Sequence, residues 1–544
     1  MIDIAGRGLK MSGKLFVGIF CAVLACSVCN ARPKAVIGYG WEFLAVTTED
    51  VHRNRAKFAE SGVDGVIMKV DGCDADGKWF SSHRLPEAKR MWTDADFNAT
   101  RAKLSEIAAS KGLGKSLGLI LLTPTKRVDW KDDLSWARMA NNLTVLGRTL
   151  KSGGFKGIAL DHEDYSKSRQ FGALASDPDF PEYAALVRRR GREVFGGFFR
   201  EFPDAWVLGF WMMSATSDSV WKDFLNGMLD VMPLSARFIE GNEDSGYQAS
   251  AEKGEFLRWT WNTLRNLDCF VAIENLPKYR QVLSVSFGQY MNAYVNGTNS
   301  SYYIGSRMGG TRIERLEENF ADAARFCDDV LWIYGERGTL IDWDRKDSPK
   351  LNCKTWEERL PGFRRALRIA AGDGSVIEQD MARGTLTNLL KNSGCELAAG
   401  EDVSRKFGTW ERKGDIPKSE LYAYDAQSGC SKPGCIKLIG KTGCYTFAAK
   451  GVKPGEAMYL RYAVKDGLGT SRTSGGWMVN GKTQWYSDRR YLMPGRDLGR
   501  GWREVFERFI VPEGVDGFFF SVSGHASKKH PLAFDDFGIY VKAR

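Results

Sequence analysis

Eight short apolar runs, each followed by a stretch of helical periodicity, alternate between residues 34 and 372. They are KAVIGYGW (34–41), DGVIMKV (64–70), SLGLILLT (116–123), FKGIALD (155–161), WVLGFWMM (206–213), ARFIEG (236–241), VLSVSFGQYM (282–291) and DVLWIYGE (329–336). Strands separated by helices predict βα units around a parallel sheet. Eight of them fit a (β/α)8 TIM barrel over 32–372, with elaborated loops; a doubly wound sheet is the competing arrangement. TDADFNATRAKLSEIAASKG reads as a helix capped by Thr93 and stopped by Gly112. After a linker at 373–386 the helical period disappears. CIKLIG, CYTFAA, AMYLRYAVKD, REVFERFIVPE, GFFFSVSG and FDDFGIYVK are strand-like runs between Gly, Pro and polar turns. Residues 387–544 therefore read as an all-β sandwich.

The first 31 residues have the order of a secretory signal. Arg7, Lys10 and Lys14 precede LFVGIFCAVLAC, and small residues follow up to Ala31. The run is short for a membrane span. Cleavage after Ala31 predicts a secreted or periplasmic chain starting at Arg32, with lipid attachment at Cys26 as the alternative. Export permits disulfides, and the crowding of Cys430, Cys435 and Cys444 suggests a bridge in the C-terminal part. The five histidines are scattered, without HExxH, which argues against a zinc enzyme. Neither GxGxxG opening a helix nor GxxxxGK[ST] occurs, so nucleotide chemistry has no motif. The net charge of +10 is concentrated: 387–544 carries +8 and 32–386 is neutral. That is either an attraction for an anionic partner or a solvated basic surface. Export argues against nucleic acid, and the oligomeric state is not set by the sequence.

Catalytic groups of a (β/α)8 barrel sit at the C-terminal strand ends. The fourth run ends Asp161-His162-Glu163-Asp164-Tyr165, the sixth Glu240-Gly241-Asn242-Glu243 and the eighth Tyr334-Gly335-Glu336. Two carboxylates on one rim suit glycoside hydrolysis, making Asp161, Glu163, Glu240, Glu243 and Glu336 the catalytic candidates. Period-two alternation puts Asp161 and Glu163 on one face and His162 on the other, in a structural role. Sugar rings stack on aromatic faces while their hydroxyls need polar partners. The candidate substrate contacts are therefore Trp41, Glu42, Asp71, Tyr165, Trp211, Tyr247 and Trp332, with Trp259 and Trp261 nearby. In the C-terminal part, Trp485, Tyr486, Arg489 and Arg490 stand beside Arg496, Arg500 and Arg503, a mixture suited to sulfated or carboxylated glycans. The competing role for these arginines is pairing with local carboxylates such as Glu504. For any single carboxylate, the bland alternative is a helix cap or a solvated charge.

GFKGIALDHEDY (154–165) resembles strand four of family 18 glycoside hydrolases, DGxDxDxE, with Asp161 and Glu163 in register and Lys156 and Ala159 at the two earlier Asp positions. The resemblance implies a glycosidase barrel rather than chitinase activity, with Glu163 as general acid beside Asp161. The same segment is similar to clan D and fucosidase-like barrels, which implies Asp161 as nucleophile, with Glu240 or Glu243 as acid/base in the clan D scheme. NLLKNSGCE (388–396) and AFDDFGIYV (533–541) resemble the ends of jelly-roll carbohydrate-binding modules of families 4 and 22, with Cys395 in place of an aromatic. That resemblance implies a jelly-roll sandwich with structural calcium between Glu396 and Asp535; no cofactor is implied for catalysis. The expectation is an exported glycoside hydrolase acting on a polysaccharide or oligosaccharide, anionic ones included. The alternative is a non-catalytic glycan-binding or adhesin protein with a degenerate barrel.

Overall fold

The computed structural model describes residues 34–164, 167–172, 174, 176–177, 181–213, 220–243, 247, 253–265, 270–304, 311–411, 416–467, 469–485 and 494–544. Residues 1–33, which hold the stretch expected to be a signal and its three cysteines, lie outside them, as does Cys269. Residues 34–371 and 372–544 form separate compact units.

In the first unit every expected run holds a strand: β1 (Ala35–Gly40), β2 (Gly65–Met68), β3 (Leu117–Leu121), β4 (Gly157–Asp161), β5 (Trp206–Gly209), β6 (Arg237–Glu240), β7 (Leu283–Val285), β8 (Gly288–Tyr290) and β9 (Val330–Gly335). All pair in parallel, in the order β8-β9-β1-β2-β3-β4-β5-β6-β7. The result is a curled, open nine-stranded parallel sheet whose end strands β8 and β7 do not pair, which corrects the expectation of a closed barrel of eight continuous strands. The seventh run breaks at Ser286–Phe287 because its first half pairs with β6 and its second half with β9. The strands are apolar because the sheet is covered on both faces; β1, β2 and β4 are buried along their whole length.

The intervening helices include α1 (Asn98–Ala109), α2 (Asp133–Ser152), α3 (Glu182–Glu201), α4 (Trp221–Val231), α5 (Lys253–Leu264), α6 (Leu276–Val282) and α7 (Arg312–Phe326). Thr93 caps the 3₁₀ turn Asp94–Phe97 that leads into α1, its N–H donating to Asp96 at 2.7 Å. Among the described residues no helix is long and apolar enough to cross a membrane.

Gly157 shows how tightly β4 is inserted. Its φ is +152°, and a Cβ there would lie 1.9 Å from the Trp206 carbonyl oxygen on β5. Backbone cannot yield as a flexible side chain would. Gly157→Ala should therefore destabilise the unit by more than the ~0.5–1 kcal/mol scale of ordinary glycine effects, read as a lowered Tm and reduced soluble yield.

The expected linker at 373–386 instead holds α8 (Ser375–Ala382), which belongs to the second unit. Its remaining strands are β10 (Leu386–Asn388), β11 (Gly408–Glu411), β12 (Tyr422–Asp425), β13 (Cys435–Leu438), β14 (Gly443–Lys450), β15 (Ala457–Lys465), β16 (Arg472–Val479), β17 (Lys482–Trp485), β18 (Asp497–Gly499), β19 (Trp502–Ile510), β20 (Gly517–Ser523) and β21 (Leu532–Lys542). One antiparallel sheet runs β12-β13-β21-β15-β19-β18, with β10 also on β21; the other runs β11-β14-β20-β16-β17. Leu460, Tyr462 and Phe534 of the first share one buried core with Tyr445, Phe518 and Phe520 of the second. The suggested bridge is absent: Cys430, Cys435 and Cys444 are free thiols, and Cys435 is packed in a small apolar cluster with Ala463 and Trp502.

Candidate active site

Strand β4 delivers Asp161 to the rim, and the next residues fan out. His162 turns away and stacks on Trp221 at 4.1 Å with a 2° interplanar angle. Burial there pushes its imidazole down to about 3, so it stays neutral and packs. Glu163 turns back, its N–H donating to Asp161 Oδ1 at 2.9 Å. Its carbonyl accepts from the Thr123 hydroxyl.

Beyond β6 the chain passes Asn242, at φ +46°, and the Glu243 N–H bonds to Phe210 O at 2.9 Å. This turn brings Glu243 within electrostatic reach of Asp161. Burial pushes the Asp161 carboxyl up to about 7, against the Glu163 N–H bond, and the charges of Glu163 and Glu243 push it further the same way. Tyr39, near the end of β1, is held well above its usual range by burial and then by the same three carboxylates, Asp161, Glu243 and Glu163. Residues from three parts of the sheet thus surround one point.

A tyrosine row runs beside this cluster. Tyr290, Tyr334 and Tyr39 are in register on the adjacent strands β8, β9 and β1. Their neighbouring rings lie 5.7 and 5.6 Å apart, and Tyr247 stacks on Tyr290 at 5.1 Å. Burial and the Glu243 charge raise Tyr247 well above its ordinary value. Glu336 ends the row: it accepts from Tyr290 Oη at 3.0 Å, Asn292 Nδ2 at 3.2 Å and Tyr334 Oη at 3.1 Å. Tyr39, Tyr290, Tyr334 and Asn292 were not among the sequence candidates. Their signal was the tyrosine near the end of each of the runs IGYG, FGQY and WIYG.

Other candidates sit elsewhere. Glu240 is buried, with Oε1 accepting from Asn242 N–H at 3.1 Å and Oε2 unpartnered. Burial pushes it up to about 8 without any carboxylate contribution, so it stands apart from Asp161 and Glu243. Glu42 turns into the protein and clips the segment after β9, through Leu340 N–H at 2.9 Å and Trp343 Nε1–H at 2.6 Å. Asp71 is held by Thr48, whose N–H donates at 2.7 Å. Trp332 is 1% exposed, and its Nε1–H donates to Gly241 O at 2.8 Å; it is core rather than a sugar platform. Trp41 is 40% exposed, with Lys350 Nζ 5.2 Å from its ring centre. Trp211 is half-buried, 6.1 Å from His162. Trp261 bonds to Asp328, which precedes β9 and so lies away from the rim, while Trp259 is exposed on α5. Tyr165 lies outside the described residues.

Glu240 gives a stability prediction. A carboxyl raised from about 4.5 to about 8 on folding contributes stability that is full below its unfolded value and lost as pH rises through its folded one. Tm should fall between pH 5 and pH 8.5. Glu240→Gln should flatten that fall, leaving the part that comes from Glu42, also pushed to about 8, and from Asp161, pushed to about 7.

In the second unit, Tyr486, Arg489 and Arg490 lie outside the described residues, and Trp485 closes β17. Arg496 bonds Glu504 at 2.9 and 3.1 Å, Arg500 donates to the Cys430 carbonyl, and Arg503 Nη2 donates to Gly495 O at 3.1 Å. Of the three, Arg496 serves the fold through the buried Glu504. The positions implied for calcium do not fit a hard cation that takes 6–8 oxygen ligands. Asp535 is buried, with its oxygens accepting Cys430 N–H at 2.7 Å and Asp536 N–H at 2.8 Å. Glu396 is exposed. Among the described residues no group of three or more His, Cys, Asp or Glu side chains could hold a metal.

No family model matches the chain, and no curated protein matches it. Solved structures similar to parts of it include the enzymatically active domain of bacteriophage CBA120 tailspike protein 4, at 14% identity over 28% of this chain and 21% of that one, TM-score 0.23. Another is the CBM22-1–GH10 modules of Clostridium thermocellum endo-1,4-beta-D-xylanase 10B complexed with xylohexaose, at 12% identity over 23% of this chain and 25% of that one, TM-score 0.19. A third is the CBM22-1 xylan-binding domain from Paenibacillus barcinonensis Xyn10C, at 16% identity over 29% of this chain and 98% of that one, TM-score 0.21. The chain thus spans a quarter or less of the length of the first two.

Proposed function

We propose that this chain is an exported glycoside hydrolase, with residues 34–371 acting as a (β/α)8-type catalytic unit and residues 387–544 as a jelly-roll carbohydrate-binding module. The observation that carries the reading is the convergence of Asp161, Glu163 and Glu243 around Tyr39, with burial pushing Asp161 up to about 7. Glycoside cleavage needs one carboxyl that keeps its proton and one that does not. Asp161 is the proton carrier that donates to the leaving glycosidic oxygen. Glu163 or Glu243, more exposed, is the carboxylate that attacks the anomeric carbon or activates water. This reverses the nucleophile role implied for Asp161 by the clan D resemblance. The tyrosine row supplies apolar ring faces and hydroxyls for the sugar.

The barrel reading is supported by the sheet order, whose two ends, β7 and β8, lie on one continuous segment. Secretion rests on the signal-like N-terminus alone, with lipid attachment at Cys26 as its variant.

The test is reducing-end release by the full chain from a panel of neutral, uronic and sulfated polysaccharides. Release from at least one of them supports hydrolysis. Retardation in affinity electrophoresis with no release from any would favour the non-catalytic glycan-binding reading.

A further inference from the structure

An open hollow of about 520 Å³ lies in the first unit, between the 3₁₀ turn Met291–Tyr294, the start of α7 and the short helix Trp356–Arg359. Its wall carries three cations, Arg312, Lys354 and Arg359, and one carboxylate, Glu358. Glu358 is already committed: its Oε2 accepts from Thr355 N–H at 2.7 Å and Thr355 Oγ1 at 2.8 Å. Lys354 and Arg359 have no such carboxylate or carbonyl partner among the described residues. Among the described residues neither Lys354 nor Arg359 forms an ion pair, and Arg359 Nε is buried without a hydrogen-bond partner. Arg312 donates to the Tyr294 carbonyl at 3.0 Å and lies 4.8 Å from the Tyr303 ring centre, with no carboxylate partner among the described residues. A buried unpaired guanidinium nitrogen is costly unless something supplies its acceptor.

The hollow is tied to the candidate active site. Asn292, in the same turn as Tyr294, donates to Glu336 at 3.2 Å and accepts from its N–H at 3.0 Å. The Lys354 carbonyl accepts from Thr339 N–H at 3.3 Å, three residues after Glu336. Two arginines and a lysine lining an open space suit an oxyanion, since arginine forks match oxyanion geometry.

We propose that this hollow is a subsite for the acidic group, carboxylate or sulfate, of a glycan lying along the rim. It rests on the reading of that rim as a glycan site and narrows its substrate to an acidic glycan. It locates that selectivity in the first unit, although 32–386 is neutral in sum.

The experiment is calorimetric titration of the full chain carrying Asp161→Asn, so that binding is read without turnover. The probes are hexagalacturonate, a carrageenan-derived hexasaccharide and xylohexaose. Adding Arg312→Ala and Arg359→Ala should weaken at least one acidic probe tenfold or more and leave xylohexaose binding or non-binding as it was, with Tm unchanged. The probe that loses affinity identifies carboxylate or sulfate as the group held. Arg312→Lys with Arg359→Lys should restore part of the affinity, because charge is kept while the fork is lost. Failure of either acidic probe to bind the parent, for both probes together, overturns the proposal. So does binding within twofold of the parent in the double alanine variant, the result expected if the basic second unit does the binding. A chain that binds in this way yet releases no sugar would refute hydrolysis and leave the subsite standing.

Discussion

Asp161→Asn should lower turnover on the cleaved glycan by about 10²–10⁴-fold, the range for losing a positioned proton donor. Asparagine keeps the shape and still accepts the Glu163 N–H that lies 2.9 Å from Oδ1, so the fold should survive. The substitution also removes a carboxyl whose value is raised to about 7. The stability such a group contributes is lost as pH rises through 7, so the variant's Tm should hold up better than the parent's at pH 8. Kinetics and thermal unfolding of the same samples separate a lost proton donor from a damaged fold. Unchanged turnover would place the chemistry elsewhere.

Glu504→Ala should produce the largest loss of stability in the second unit. Glu504 is 1% exposed and receives Arg461, Arg496 and the Gly374 N–H at 3.1 Å. Arg461, itself buried, is then left with the more exposed Glu378 of α8 as its carboxylate partner among the described residues. Removing one partner of a buried ion pair costs about 3–5 kcal/mol because the other charge is left uncompensated. Urea unfolding of the full chain should show the earliest transition moved by that amount. A change below ~1 kcal/mol, the scale of exposed pairs, would mean the network is solvated.

The strands were legible because a sheet buried on both faces needs continuous apolar runs, and each of the eight runs contains one. The break in the seventh was not legible, because periodicity reports burial and not which neighbour a residue pairs with. Asp161 and Glu163 were legible as a pair, since alternation along an extended segment is local. Glu42 was not: it looked like a rim carboxylate, yet its partner Trp343 is 301 residues away. Trp332 has the same cause, with its indole spent on Gly241, 91 residues back. The tyrosine row requires strand register, which composition does not carry. Arg496, just before β18, was read as part of a glycan surface because an arginine beside aromatics looks alike whether it faces a ligand or a buried glutamate.

The central claim is that Asp161 keeps its proton because it is buried, with the neighbouring Glu163 and Glu243 charges pushing the same way. It is tested most directly by the pH dependence of kcat/KM for the parent and Glu243→Gln. A limb that falls above about pH 7 is expected in the parent, where Asp161 loses its proton, and the same limb at lower pH in the variant. Removing a like charge makes ionisation of Asp161 easier. A falling limb at the same pH in both, or activity that does not decline above neutrality, would contradict it.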